Sequence, residues 1–292
     1  MLILRLKGGM GNQMFQYAAA RALADRKRIK LAIDAHTGFE KDPYRRSYEL
    51  GCFPIPAPVM QPAEARAAGR HGCLRRYTLL LAERIAIRKF GQFFVPIDRL
   101  VGRSAVCLEN RFQSYRYFDD RAEVIRREFE FPDPPAAKAG IAGLIRGSNS
   151  VSLHLRLQHG VSDEGRVIYS RKRIHLTRDV LAGFYDRALR MVRRSLPHAH
   201  VFLFSDAEAP RLRALDSFPV TQVPRCLSDP PWHDMWLMSQ CRHNIIANST
   251  YSWWAAWLNR HPGKQVYAPE QYLPFYSRNS PRNVYPPAWK VL

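Results

Sequence analysis

Asn244-Ile245-Ile246-Ala247-Asn248-Ser249-Thr250-Tyr251-Ser252-Trp253-Trp254-Ala255-Ala256-Trp257-Leu258 passes from an apolar run through polar residues into a helical pattern. Residues 244–247 read as a buried strand, and residues 252–258 as a helix with Trp253, Ala256 and Trp257 on one face. Asn248, Ser249, Thr250 and Ser252 stand at the junction, where small hydroxyls cap a helix N-terminus. The same place suits a bound diphosphate. Ligands of open α/β sheets bind beyond the carboxyl ends of the strands, and the helix dipole favours an anion there. Plain capping and diphosphate binding both account for these residues.

Working outward, strand patterns recur at residues 151–155, 200–204, 220–223 and 265–267, with helical patterns at 181–196, 210–215 and 232–240. Alternation at this pace predicts βαβ units and a parallel sheet. The N-terminal half opens with a strand at residues 2–6, the turn Lys7-Gly8-Gly9-Met10-Gly11-Asn12-Gln13, and a helix carrying Phe15, Ala18, Ala19, Ala22 and Leu23 at helical spacing. A second strand is expected at residues 29–33, then loops and short helices over 36–75. The prolines of Phe131-Pro132-Asp133-Pro134-Pro135 stiffen the chain and break helices, so a domain boundary is expected within 131–149. The expected α/β architecture is therefore two Rossmann-like domains facing a cleft, residues 1–140 and 141–292. There is no internal repeat and no heptad run.

The chain has 292 residues and is 46% hydrophobic, enough to bury a substantial core. No run approaches the roughly 20 apolar residues needed to span a bilayer, and the first residues alternate like a strand, so a cytoplasmic location is expected. Five cysteines, none in a C-x-x-C pair, suggest neither a disulfide framework nor a zinc site. Lys plus Arg number 45 against 25 Asp plus Glu, a net +20 that attracts polyanions: nucleic acid, anionic lipid or a nucleotide diphosphate. Nucleic acid is disfavoured as a partner, because no zinc-finger spacing or RNP-type aromatic sequence accompanies the charge. Peripheral association with the inner face of a bacterial membrane is compatible with it. So is an arginine-rich composition that merely decorates solvated helices.

Four segments can carry chemistry. The glycines of the first turn let the backbone approach a ligand and leave amides free at a helix N-terminus, although Met14 replaces the third glycine of the dinucleotide fingerprint. A mere tight turn explains them equally. His154 and Arg156 end the strand at residues 151–155, where Arg156 can clamp a departing phosphate or form a structural ion pair. Ser205 and Asp206 follow the next strand, where Asp206 can bond a guanine edge or a ribose, or cap a helix. The fourth is the junction at Asn248.

Together these segments resemble the α-1,2-fucosyltransferase family, glycosyltransferase family 11, nearly from end to end. Lys7 to Tyr17, KGGMGNQMFQY, is similar to its N-terminal signature, and Phe112-Gln113-Ser114 with Tyr117-Phe118 to its F-Q-S-x-x-Y-F stretch. His154-x-Arg156 resembles the start of its H-x-R-R-x-D motif and Phe204-Ser205-Asp206 its F-S-D-D. The long block from Asp234-Met235 to Leu258 is the most specific match.

The resemblance implies a GT-B fold, a GDP-fucose donor bound mainly by the C-terminal half, and inverting transfer to a hydroxyl such as galactose O2 of an oligosaccharide or lipid-linked glycan. It implies neither metal nor cofactor, in keeping with the lack of any Asp-x-Asp. Arg156, His154 and Glu164 are its expected catalytic residues, Glu164 by its spacing after His154 in related α-1,6-fucosyltransferases, with His159 and Asp163 as neighbouring candidates. Gly9, Gly11, Asn12, Gln13, Ser205, Asp206, Asn248, Ser249, Thr250 and Ser252 are its expected donor-binding residues. The family pattern has a second Arg and an Asp where this chain has Leu157 and His159, and a second Asp at Ala207. These departures leave open a donor with another GDP-linked sugar, or a basic protein that binds glycan or polyanion without turnover.

Overall fold

Leu2, Ile3 and Leu4 bury both faces of the first strand, β1 (Leu2–Arg5), which pairs in parallel with β2 (Leu31–Asp34) on one side and β3 (Val106–Leu108) on the other. The computed structural model describes residues 1–71, 94–98, 106–133, 136–156, 180–205, 212–224, 229–270 and 283–292. Two compact units result, Met1–Pro132 with Arg278–Pro286, and Asp133–Ser277 with Pro287–Leu292.

In the first unit, β1 leads through the glycine turn into helix α1 (Met10–Lys27). Its alanine-rich sequence favours helix and lets Phe15, Tyr17 and Leu23 sink into the core. Arg26 and Lys27 complement the dipole in its last turn, and Arg28, in the left-handed conformation at φ 52°, returns its amide to the carbonyl of Asp25. Tyr17 and Arg21 both donate to the buried carboxylate of Glu128, from helix α3 (Ala122–Glu128), at 2.7 and 2.9 Å. Helix α2 (Pro62–His71) lies in the segment expected to hold loops and short helices.

The second unit follows helix α4 (Ala139–Arg146) with a six-stranded parallel sheet. Its strands are β4 (Asn149–Leu155), β5 (Ala199–Ser205), β6 (Val220–Gln222), β7 (His243–Ile245), β8 (Val266–Ala268) and β9 (Lys290–Val291). They lie in the order β6-β5-β4-β7-β8-β9. That is the doubly wound order of dinucleotide-binding sheets, in which the chain first builds outward on one side of the starting strand and then returns to build on the other. Helices α5 (Val180–Ser195), α6 (Trp232–Gln240) and α7 (Thr250–Leu258) alternate with the strands.

Strand β4 is buried on both sides, as parallel strands are. Val151, Leu153 and Leu155 share a core with Phe184, Ala188, Leu189 and Val192 of α5. The opposite face carries Ser150, Ser152 and His154. There the amide of Asn244 bridges Ser152 Oγ and the carbonyl of Met238 at 2.7 and 2.8 Å, and Asn259 donates to Asn244 Oδ1 and to the carbonyl of Cys241. Buried polar groups are thereby satisfied where an apolar pair would have left backbone carbonyls bare. Lys264 closes α7 by donating to the carbonyls of Ala256 and Asn259.

The helix expected at residues 210–215 is corrected. The described part is a 3-10 turn, Arg213–Ser217, preceded by an extended Leu212. Its apolar residues Ala214, Leu215 and Phe218 recur too closely for a full helical face and pack directly onto the core behind α5. Strands β3 and β9, of three and two residues, are too short to leave a period in the sequence.

Candidate functional site

The strand order of the second unit reverses between β4 and β7, and ligands of such sheets bind beyond the carboxyl ends at that switch point. Two polar segments leave the sheet there. His154 and Arg156 end β4, while Asn248 and Ser249 follow β7 and lead into α7. The structure brings them together: the ring of His154 lies 5.9 Å from that of Tyr251, in the first turn of α7. Ser205 ends β5 beside β4, with Leu155 as its partner in register.

Serine 249 is the N-cap of α7, its Oγ accepting from the amide of Tyr251 at 3.3 Å. Ser252 Oγ accepts from the amide of Ala247 at 3.2 Å, tying the end of β7 to the helix. Those two hydroxyls are thus engaged within the chain. The half-exposed side chains of Asn248 and Thr250 make no hydrogen bond among the described residues. The Tyr251 hydroxyl donates to the carbonyl of Pro231, which fixes the ring against His154. The α7 N-terminus therefore offers its dipole, two unengaged polar side chains and an anchored aromatic ring.

His154 is 5% exposed, and its Nδ1 is buried with no hydrogen-bond partner. Its carbonyl is held by the Tyr185 hydroxyl at 3.0 Å. Burial, aided by the nearby charge of Arg156, pushes the imidazole pKa down to about 3, so the ring is neutral at physiological pH. A neutral ring can hold a hydroxyl or a phosphate oxygen only through an atom that solvent reaches, which excludes the buried Nδ1. It makes a poor general base, because its conjugate acid is far too strong. Arg156 follows as the half-exposed cation of the site.

The glycine turn of the first unit is built differently. Gly8 adopts φ 78°, a conformation that favours glycine, and an added Cβ there would stand 3.1 Å from Asn12 Nδ2. Gly9 is the N-cap of α1 and Gly11 lies buried in its first turn. Gln13 is completely engaged: its amide donates to the carbonyls of Gly8 and Ser47 at 2.8 Å each, and its oxygen accepts from the amide of Glu49. Asn12 Oδ1 accepts from Gln113 at 2.7 Å. Glu49 brings its carboxyl close to the α1 N-terminus, and burial raises its pKa against the opposing pull of the Met10 amide and Arg46. A carboxyl group of the chain itself therefore already stands at this helix N-terminus.

Glu164, Asp206, Asp163 and His159 lie outside the described residues. Two residues with clear structural roles, Tyr251 and Glu49, were not singled out in the sequence. Tyr251 sits inside the quoted block, where an aromatic ring between capping hydroxyls was a usable signal. Glu49 lies in the aperiodic segment 36–75 and gave none. Among the described residues there is no group of three or more His, Cys, Asp or Glu side chains that could hold a metal ion.

Comparison with known proteins matches residues 216–292 to the model of Glycosyl transferase family 11, which bears out the resemblance read from the motifs. The chain is 28% identical to the O-antigen biosynthesis glycosyltransferase WbnK of Escherichia coli, over 92% of this chain and 93% of that protein. It is 24% identical to an alpha-1,2-colitosyltransferase of Escherichia coli, over 89% and 88%. Among solved structures it resembles fucosyltransferase NodZ from Bradyrhizobium, with a TM-score of 0.50 and 16% identity, covering 87% of this chain and 92% of that one. At this identity the likeness speaks for the fold alone, and it agrees with the α/β architecture of parallel sheets.

Proposed function

We propose that this chain, whose C-terminal segment matches glycosyl transferase family 11, transfers fucose from GDP-fucose to a glycan hydroxyl, galactose O2 in the first instance, with inversion and without a metal. The observation that carries the reading is the meeting of His154, Tyr251 and the open α7 N-terminus at the switch point of a doubly wound sheet. In this reading the second unit holds the GDP. The amides and dipole of α7, with Asn248 and Thr250, receive the diphosphate. Arg156 neutralises the charge that grows on it as the bond breaks.

The acceptor oxygen attacks the anomeric carbon of the sugar from the side opposite the diphosphate. The bond from that carbon to the phosphate oxygen breaks and its electron pair leaves with GDP. The hydroxyl proton passes to a carboxylate, for which Glu164 is our candidate. His154, neutral, positions a sugar or phosphate oxygen. Asp206 and Ser205 are assigned to the nucleoside, whereas Gly9, Gly11, Asn12 and Gln13 belong to the first unit, where Gln13 is already engaged within the chain.

A second donor is favoured by one specific relative: the protein at 24% identity is named a colitosyltransferase, so a GDP-linked sugar other than fucose is a competing reading. Calorimetric titration with GDP, GDP-fucose and GDP-mannose, with and without a chelator, tests both. Chelator-insensitive binding of GDP and GDP-fucose is expected. Absence of any GDP binding overturns the transferase reading, and binding of GDP with rejection of GDP-fucose moves the donor to another sugar.

A further inference from the structure

On the far side of α5 from its core lies a second concentration of function-like residues. Phe184, Tyr185, Ala188, Leu189 and Val192 face inward, so helical geometry throws Arg187, Arg190, Arg193 and Arg194 onto an outer arc of roughly 120°. Arg213 joins them from the 3-10 turn packed beside α5. Arg190, Arg193, Arg194 and Arg213 line one cavity of about 570 Å³, together with Asp186 and Ser217. All four arginines are exposed, and among the described residues none has a carboxylate within ion-pair distance. Asp186 Oδ1, at the same cavity, is buried and accepts no hydrogen bond.

Four guanidiniums converging on a concave surface with a single carboxylate, Asp186, among them repel one another and leave a net positive charge. They are suited to phosphate, which each fork can grip through two parallel bonds. Asp186 Oδ1 is sealed from solvent, so the Asp186 carboxylate lowers the positive charge of the cavity without offering that oxygen to a ligand. A phospholipid headgroup supplies the phosphate. A bilayer supplies many at once, matching a patch that is spread along a helix instead of closed around one ion.

We infer that the arginine face of α5 and the 213–217 turn docks the protein on an anionic phospholipid surface, with a headgroup phosphate in the cavity. The face lies on the second unit and uses none of the residues assigned to the donor, so its failure and that of the transferase reading are told apart.

The test is sedimentation of the full chain with vesicles of phosphatidylcholine alone and of phosphatidylcholine containing phosphatidylglycerol. Binding only to the anionic vesicles, weakening with salt, is expected. R190E/R193E/R194E should lower the partition coefficient about a hundredfold, roughly fivefold for each basic residue lost from an anionic surface. A control of equal charge change on exposed residues of the first unit, K30E/K41E/R111E, should keep most of the binding. Equal loss in both triples means diffuse attraction and overturns the assignment, as does wild-type binding by the α5 triple. No binding to anionic vesicles, with inorganic phosphate or an oligonucleotide bound instead, overturns it in favour of a soluble ligand. The thermal unfolding midpoint of the α5 triple, measured alongside, reports that the variant is folded.

Discussion

Two helices in this molecule begin beyond the carboxyl end of a parallel strand with small residues at the turn, α1 in the first unit and α7 in the second, and they are finished in opposite ways. The N-terminus of α1 is closed by the chain: Glu49 faces the Met10 amide, and Gln13 spends every polar atom on Gly8, Ser47 and Glu49. That of α7 uses one serine as cap and leaves Asn248 and Thr250 unengaged, with the desolvated nitrogen of His154 beside Tyr251. A helix N-terminus becomes a ligand site only if the fold leaves its partial positive charge unanswered.

Removing the cation of the open site should have the largest effect. Arg156→Ala is expected to lower kcat/KM for transfer by about a hundred- to a thousandfold, with the fold intact, because charge on the leaving diphosphate goes unanswered. Turnover like the wild type's would remove Arg156 from the mechanism. The closed end should respond in stability instead. Gln13→Ala strands two carbonyls and an amide, and is expected to cost about 2–3 kcal/mol in denaturant unfolding. An unchanged midpoint would mean the turn is not held by these bonds.

A smaller effect separates the two ends directly. Asn248→Ala with Thr250→Ala should weaken GDP binding by roughly tenfold, about one net hydrogen bond for each side chain, while leaving the unfolding midpoint alone. At the closed end, Glu49→Gln keeps the acceptor at the Met10 amide and removes a charge that burial disfavours, so it should be neutral or slightly stabilising at pH 7. Glu49→Ala should cost about 1 kcal/mol, the usual value of a lost cap. If it is the Glu49 variants that alter GDP affinity, the comparison is reversed.

The pH response is set by histidines whose folded pKa is depressed, His154 to about 3 and His243 to about 4, both chiefly by burial. Above about pH 6.5 both are neutral folded or unfolded, and their contribution is complete. As pH falls, the unfolded chain takes protons that the folded chain refuses, so stability declines from about pH 6.5 toward 4. Each contributes at most about 1.4 kcal/mol per pH unit. Thermal unfolding of His154→Asn should show a shallower decline than the wild type; an identical slope would remove His154 as a source.

Much of this fold was legible because its core strands are apolar runs of ordinary length. The expected strands at 151–155 and 200–204 correspond to β4 and β5, and the helix at 232–240 coincides with α6. The failures have local causes. The 213–217 turn is held by packing onto α5, and β3 and β9 acquire extended form only by pairing with neighbours already in place. Nor does the sequence mark the return of Arg278–Pro286 to the first unit, where the Asn283 carbonyl accepts from the Ser114 hydroxyl.

From its sequence alone the chain reads as an α/β protein with parallel sheets and a C-terminal block that matches glycosyl transferase family 11, because hydrophobic period and motif spacing are properties of the chain in order. Which polar groups remain available for a ligand was decided by tertiary structure. Glycines at α1 and hydroxyls at α7 promise the same thing locally. Only the arrival of Glu49, thirty-nine residues after the Met10 amide it faces, closes one end, and only the strand reversal between β4 and β7 sets His154 beside the other.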